Sequence, residues 1–120
     1  MSVEEIFNKL ASHMKEGVAY HDEMAKAYDF LGFWGLSKCH VYHAIEEKEG
    51  YYCLSHYYAT HYFKLLQLED IPPTKLIPDT WYKYTTHAVD NGTKKSALKE
   101  LMGKWIEWEK KTKQFYSEMR

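Results

Sequence analysis

Along the first thirty positions one set of residues recurs at alternating steps of four and three: Val3, Phe7, Leu10, Met14, Gly17, His21, Met24, Tyr28 and Leu31. That rhythm keeps every member on one stripe of an α-helix. It does not suit a strand, whose sides alternate every second residue. A second run with the same rhythm follows: Leu36, His40, His43, Glu47, Gly50, Leu54, Tyr57, His61, Leu65 and Leu68. Only Gly32-Phe33-Trp34-Gly35 separates the two runs. Two long helices joined by so short a turn must lie antiparallel, as a hairpin. The first is expected from about Ser2 to Leu31, with Ser2 as its cap and Glu4 and Glu5 in the favourable first turn. The second is expected from about Ser37, a capping residue, to Leu68.

Beyond the hairpin the chain is less regular. Pro72-Pro73 and Pro78 predict an extended connector. Asp79 is placed to cap a short helix running to about Asp90, with Trp81, Thr85 and Ala88 or Val89 inward, and Asn91-Gly92 to stop it. A last helix is expected from about Lys94 to Met119, with Leu98, Met102, Trp105, Glu109, Thr112, Tyr116 and Met119 on its inner stripe. No segment reads as a strand or an internal repeat. The expectation is an all-α chain, residues 1–120 forming one helical domain.

Charge narrows the partners. Sixteen basic residues face seventeen acidic ones, a net charge of −1, so no basic footprint for nucleic acid or an anionic membrane is expected. No apolar run is long enough to span a bilayer, and Met-Ser-Val-Glu-Glu is not a signal peptide, which gives the cytoplasm as the expected location. Cys39 and Cys53 lie too far apart on one predicted helix to bridge and read as partly buried thiols. The unusual content is 11 Tyr, 4 Trp and 7 His, side chains that carry polar atoms needing partners wherever they are buried.

The middle of the second stripe is polar. Glu47 there and Glu109 on the last helix are due to meet in one core, and facing carboxylates repel unless a cation or a shared proton lies between them. His40 and His43 share the Glu47 face within two turns. Neutral imidazoles with carboxylates are ligands for iron, manganese or zinc. Glu-x-x-His, the helical pair that shares a metal in bundles, is broken here: Glu47 is followed three residues on by Gly50. The plainer reading of the same residues is a solvated Glu46–Glu49 face and histidines hydrogen-bonded to Tyr or Glu. His13, His56 and His87 read as surface or packing residues. Tyr51, Tyr52, Tyr57, Tyr58 and Tyr62 read as packing around the second helix, and Trp105 with Trp108 as core and interface. No nucleophile with an activating partner is evident, and no glycine-rich phosphate loop follows a strand.

Met24-Ala25, the turn with Phe33 and Gly35, and His43-Ala44-Ile45-Glu46-Glu47 together resemble the ferritin-like family. Ile71-Pro72-Pro73 is similar to the start of that family's crossover, and Trp108-Glu109-Lys110-Lys111-Thr112 to its third long helix. The resemblance runs from about residue 10 to 118. It implies a ferritin-like up-down helical bundle with a di-iron site whose carboxylates fall on Glu47 and Glu109. The imidazole partner falls on Gly50 and the first-helix glutamate on Met14, neither of which supplies such a ligand. The family's fourth long helix has no counterpart before Arg120.

Two functions follow as expectations. In one, the chain has lost the standard ferroxidase site and acts as a non-catalytic module that binds itself, as a homodimer, or a partner protein. In the other, it holds a noncanonical iron, manganese or zinc centre, iron foremost, built from Glu47, Glu109 and His43. His40 or Glu16 would join that centre, with His21 as the other candidate from the first helix.

Overall fold

The computed structural model describes residues 2–68 and 90–119, and among these every regular element is helical. Helix α1 spans Val3–Leu31, α2 spans Trp34–Tyr62 and α3 spans Asn91–Glu118. The expected proline connector and the helix from Asp79, with Trp81, Thr85, His87, Ala88 and Val89, lie outside the described residues. No helix among the described residues is long and apolar enough to cross a membrane.

Helix α1 begins as expected: the Ser2 side chain accepts a hydrogen bond from the Glu5 N–H at 3.2 Å. It ends at Gly32, whose φ of 83° lies in the left-handed region that glycine adopts without strain. The Gly32 N–H donates to Asp29 O at 3.0 Å and the Phe33 N–H to Tyr28 O at 2.9 Å. The Phe33 and Tyr28 rings meet edge to face at 6.4 Å. This is a Schellman stop with its apolar contact.

Because that stop consumes only two residues, α2 starts at Trp34, three residues before the expected Ser37, and Gly35 lies inside its first turn. It also ends earlier than expected, at Tyr62. Phe63 turns the chain with φ 55° and its N–H reaches Ala59 O at 3.1 Å. Helix α3 starts at Asn91, not Lys94. Asp90 caps it, accepting from the Thr93 N–H at 2.8 Å and the Thr93 hydroxyl at 2.9 Å. Asn91-Gly92 therefore opens this helix.

The α1–α2 hairpin is antiparallel. Phe7 packs on Tyr58 at one end, Met14 faces Gly50 and Gly17 faces Glu47 in the middle, and His21 meets His40 towards the turn. Helix α3 lies against α1 in the opposite sense. Its first turns carry Ala97 and Leu101 into a cluster with Met24, Ala27, Tyr28 and Leu31, while Phe115 near its end stacks on His13. Antiparallel to α1, α3 runs parallel to α2. The two ends that residues 69–89 connect are therefore at opposite ends of the hairpin. Helix α1 is central and buries two faces. Ala11, Ser12, His13, Ala25 and Ala27 are buried beside the expected stripe of Gly17, His21, Met24, Tyr28 and Leu31.

Of the expected α3 stripe, Leu98, Trp105 and Thr112 are half-buried, with Leu98 and Trp105 packed against the core, but the centre of the stripe is shifted round the helix. Ala97, Leu101 and Trp108 are the buried residues, while Met102, Glu109 and Tyr116 are exposed. One residue is about 100° of helix rotation, which turns a core position into an outer one. Beyond Leu54, α2 shifts likewise. Tyr58 is buried and Tyr57 and His61 are exposed, while Leu65 lies past the helix end and is exposed.

Candidate functional site

The polar middle of the hairpin separates into two layers. In the first, Gly50 faces Met14. A Cβ at position 50 would lie 3.7 Å from both the Sδ and Cε of Met14, ordinary contact distance. The thioether thus occupies the space beside Gly50, and no ligating side chain reaches in from either residue. One turn on, Glu47 lies half-buried against the backbone of α1. Gly17 permits this approach: a Cβ there would come within 3.1 Å of the Glu47 carboxyl. Burial raises the Glu47 carboxyl above the usual carboxylate range. Glu109 adds to the rise and His43 opposes it.

The second layer, nearer the turn, is histidine. His21 from α1 is buried, as is His40 from α2, and their Nδ1 atoms are 2.9 Å apart. Two neutral imidazoles at that distance share one proton, so one ring donates and the other accepts. His43, one turn after His40 and half-buried, stacks on His21 with ring centroids 5.0 Å apart and lies 6.1 Å from the His40 ring. Tyr28 stacks on His40 at 5.4 Å, and Trp105 from α3 presses its edge to His40 at 4.4 Å and to His43 at 5.9 Å. Burial depresses His21 and His40 to about 4 each, and the neighbouring imidazoles push the same way, so both rings are neutral at physiological pH. Among the described residues, His40 Nε2 is buried with no hydrogen-bond partner, as are the hydroxyls of Tyr20 and Tyr28.

The expected ligand residues therefore disperse. Glu109 is exposed and accepts a hydrogen bond from Trp105 Nε1 at 3.1 Å, as the rotation of α3 requires. Glu16 forms an ion pair with Lys111 at 2.8 Å, and that lysine also lies 5.3 Å above the Trp108 ring. Glu47 stays in the seam. His40 and His43 come together, but with His21 rather than Glu16. As the side chains stand, no three His, Cys, Asp or Glu residues among the described ones are grouped to hold a metal ion.

On α1, His21 lies on the four-and-three stripe and Glu16 does not, which is why His21 and not Glu16 meets the α2 histidines. The aromatic walls, Tyr28 and Trp105, were visible in the sequence only as core.

His13 is a packing residue, buried between the rings of Trp108 at 5.2 Å and Phe115 at 4.3 Å, with Nε2 3.2 Å from the Thr112 hydroxyl. His56 is exposed. Cys39 is half-buried and Cys53 exposed, both free. Comparison with protein families, with curated proteins and with solved structures finds no match to this chain.

Proposed function

We propose that this protein is a ferritin-like helical module that works by association, and that the surface it binds is a second copy of itself. The parallel course of α2 and α3 supports the ferritin-like part. A bundle whose second and third long helices run parallel needs one connection along its length, as ferritin-like folds have. Met14 beside Gly50 supports the loss of the ferroxidase site, because those are the positions where two of its ligands would fall.

The observation that carries the association is the apolar surface left outside. On α2, Val41 and Ile45 are 44% and 46% exposed; on α3, Met102 and Ile106 are 42% and 57% exposed. Each pair sits one turn apart and forms a stripe, where scattered exposed residues would need no explanation. The charges beside them favour a second copy over an unrelated partner. Exposed Glu46, Lys48 and Glu49 follow the α2 stripe, an acidic excess of one, and exposed Glu109, Lys110 and Lys113 follow the α3 stripe, a basic excess of one. A two-fold pairing would set α2 of each copy on α3 of the other, joining apolar to apolar and acid to base twice.

Sedimentation equilibrium tests this. The wild type is expected to be a dimer, and Ile106→Glu or Ile45→Lys a monomer with unchanged helix content. A wild type that stays monomeric at about 100 µM, or single variants that dimerise as the wild type does, would overturn the reading.

A further inference from the structure

We propose that the groove between α1 and α2 lined by Lys15, Val18, Lys48, Tyr51 and Tyr52 binds a small aromatic anion, a single ring bearing a phosphate or carboxylate group. None of these residues belongs to α3, and the proposal does not depend on how copies of the chain associate.

The groove has a volume of about 250 Å³. An apolar cavity of about 150 Å³ admits benzene, so one ring fits here with room left for a charged substituent. The walls suit the two halves of such a ligand. Val18 and Tyr51 are half-buried and Tyr52 is exposed, which gives the ring an apolar surface open on one side to entry. The two tyrosine ring centroids are 5.9 Å apart and their planes tilt by 54°. A third ring placed beside them can stack on one and meet the edge of the other.

The charge comes from both helices, Lys15 from α1 and Lys48 from α2. Lys15 Nζ lies 5.6 Å above the Tyr51 ring and Lys48 Nζ 5.9 Å above the Tyr52 ring. Both distances are close to the outer limit of a cation–π contact, so little is lost when either ammonium turns to an anion. Among the described residues neither lysine is in an ion pair, whereas Lys26, Lys64, Lys104 and Lys111 are. The nearest acids along α1 are engaged, Glu16 by Lys111 and Asp22 by Lys26. On α2, Glu47 turns into the seam against Gly17, and Glu49 projects about 100° round the helix from Lys48.

Two cations without counter-ions beside a partly enclosed groove attract an anion and hold it through charge-assisted hydrogen bonds. A neutral ring would leave the lysines unused, and an inorganic anion would leave the tyrosine faces unused. Only a ligand that joins the two chemistries uses every wall. Phosphate, with close to two negative charges near neutral pH, matches a lysine pair better than a carboxylate does.

Isothermal titration calorimetry of the full-length protein tests this, with phenyl phosphate, benzoate, phenol and inorganic phosphate as the probes. Phenyl phosphate is expected to saturate one site with a Kd below about 1 mM at low salt. Benzoate should bind at least threefold more weakly, and phenol and inorganic phosphate at least tenfold more weakly. Benzoate binding the tighter of the two aromatic anions would support the site with a carboxylate as its natural head group. Lys15→Gln and Lys48→Gln should each weaken phenyl phosphate at least fivefold, and both side chains are exposed, so neither change threatens the fold. The double variant Lys110→Gln/Lys113→Gln, beside the α3 stripe, should bind as the wild type does. Three results would overturn the site: no saturable binding of either aromatic anion, inorganic phosphate binding as tightly as phenyl phosphate, or affinity that falls with Lys110 and Lys113 but not with Lys15 or Lys48.

Discussion

Between Met14 and His21 the α1–α2 seam changes character within two turns of helix. At Met14 a flexible thioether lies over a glycine, and no polar atom of either side chain needs a partner. At His21 two imidazoles share a proton in a buried space, and a third ring lies beside them. Both layers sit in the same hairpin and are flanked by the same helices, so propensity and patterning do not distinguish them. What differs is the demand each makes on its surroundings. The thioether layer tolerates small changes in shape, whereas the histidine layer depends on protonation state and on keeping its walls closed.

Acid should separate the layers most strongly. His21 and His40 titrate near 4 in the fold and near 6.5 when unfolded, so the unfolded chain takes up more protons as pH falls. Their contribution is fully present above pH 6.5 and is lost on descending towards 4. The wild type should lose about 2 kcal/mol or more between pH 7.5 and 4.5 in urea unfolding. His21→Phe/His40→Leu protein, if folded, should lose clearly less. An equal loss in both would place the acid sensitivity elsewhere.

Truncating the other layer should cost less. Met14→Ala is expected to destabilise by about 1–2 kcal/mol, below the range for a fully buried methionine because Met14 is only half-buried. Its cost should not change between pH 7.5 and 5.5, which chemical denaturation at the two values would check.

Gly50→Ala should go the other way. A Cβ there meets Met14 at ordinary contact distance, and alanine favours the helix, so a gain of about 0.5–1 kcal/mol is expected. A loss in thermal melts would show that the Met14 layer is tighter than its distances indicate.

The smallest effect should come from Glu47→Gln. The raised carboxyl means the charged form is disfavoured in the fold, so the substitution should stabilise slightly, by less than about 1 kcal/mol, near neutral pH. The gain should vanish as pH falls through the carboxylate range, where Glu47 becomes neutral in both states. A loss at neutral pH would reveal a partner for the carboxylate.

These layers were legible in the sequence to different depths. The hairpin was clear because both stripes keep one rhythm for eight or nine steps, and Gly32 marked its turn. The meeting of His21 with His40 was harder to read, because it follows from the two-residue stop at Gly32-Phe33, which advances α2 to start at Trp34. A start at Ser37 lengthens the turn and leaves the facing register open.

The rotation of α3 was not legible at all. Leu98, Leu101, Met102, Trp105, Ile106 and Trp108 spread around much of the helix, so more than one stripe is plausible and only packing selects Leu101 and Trp108. That choice exposed Glu109 and removed it from the expected carboxylate pair. The early end of α2 at Phe63 had no signal either, since a phenylalanine in the left-handed region looks in sequence like a continuing helix.

The parallel course of α2 and α3 also sets an order of events. His21 and His40 are 19 residues apart and are brought together by closure of a two-residue turn. Trp105, which presses on both His40 and His43, comes from beyond a long excursion of chain whose closure is entropically costly. Local contacts form before distant ones in helical proteins of this kind. Refolding should therefore bring the histidines together first and cover them afterwards, so that the buried pair is exposed to solvent protons until α3 docks. Pulse-labelled hydrogen exchange would see this as protection of α1 and α2 amides ahead of those in α3.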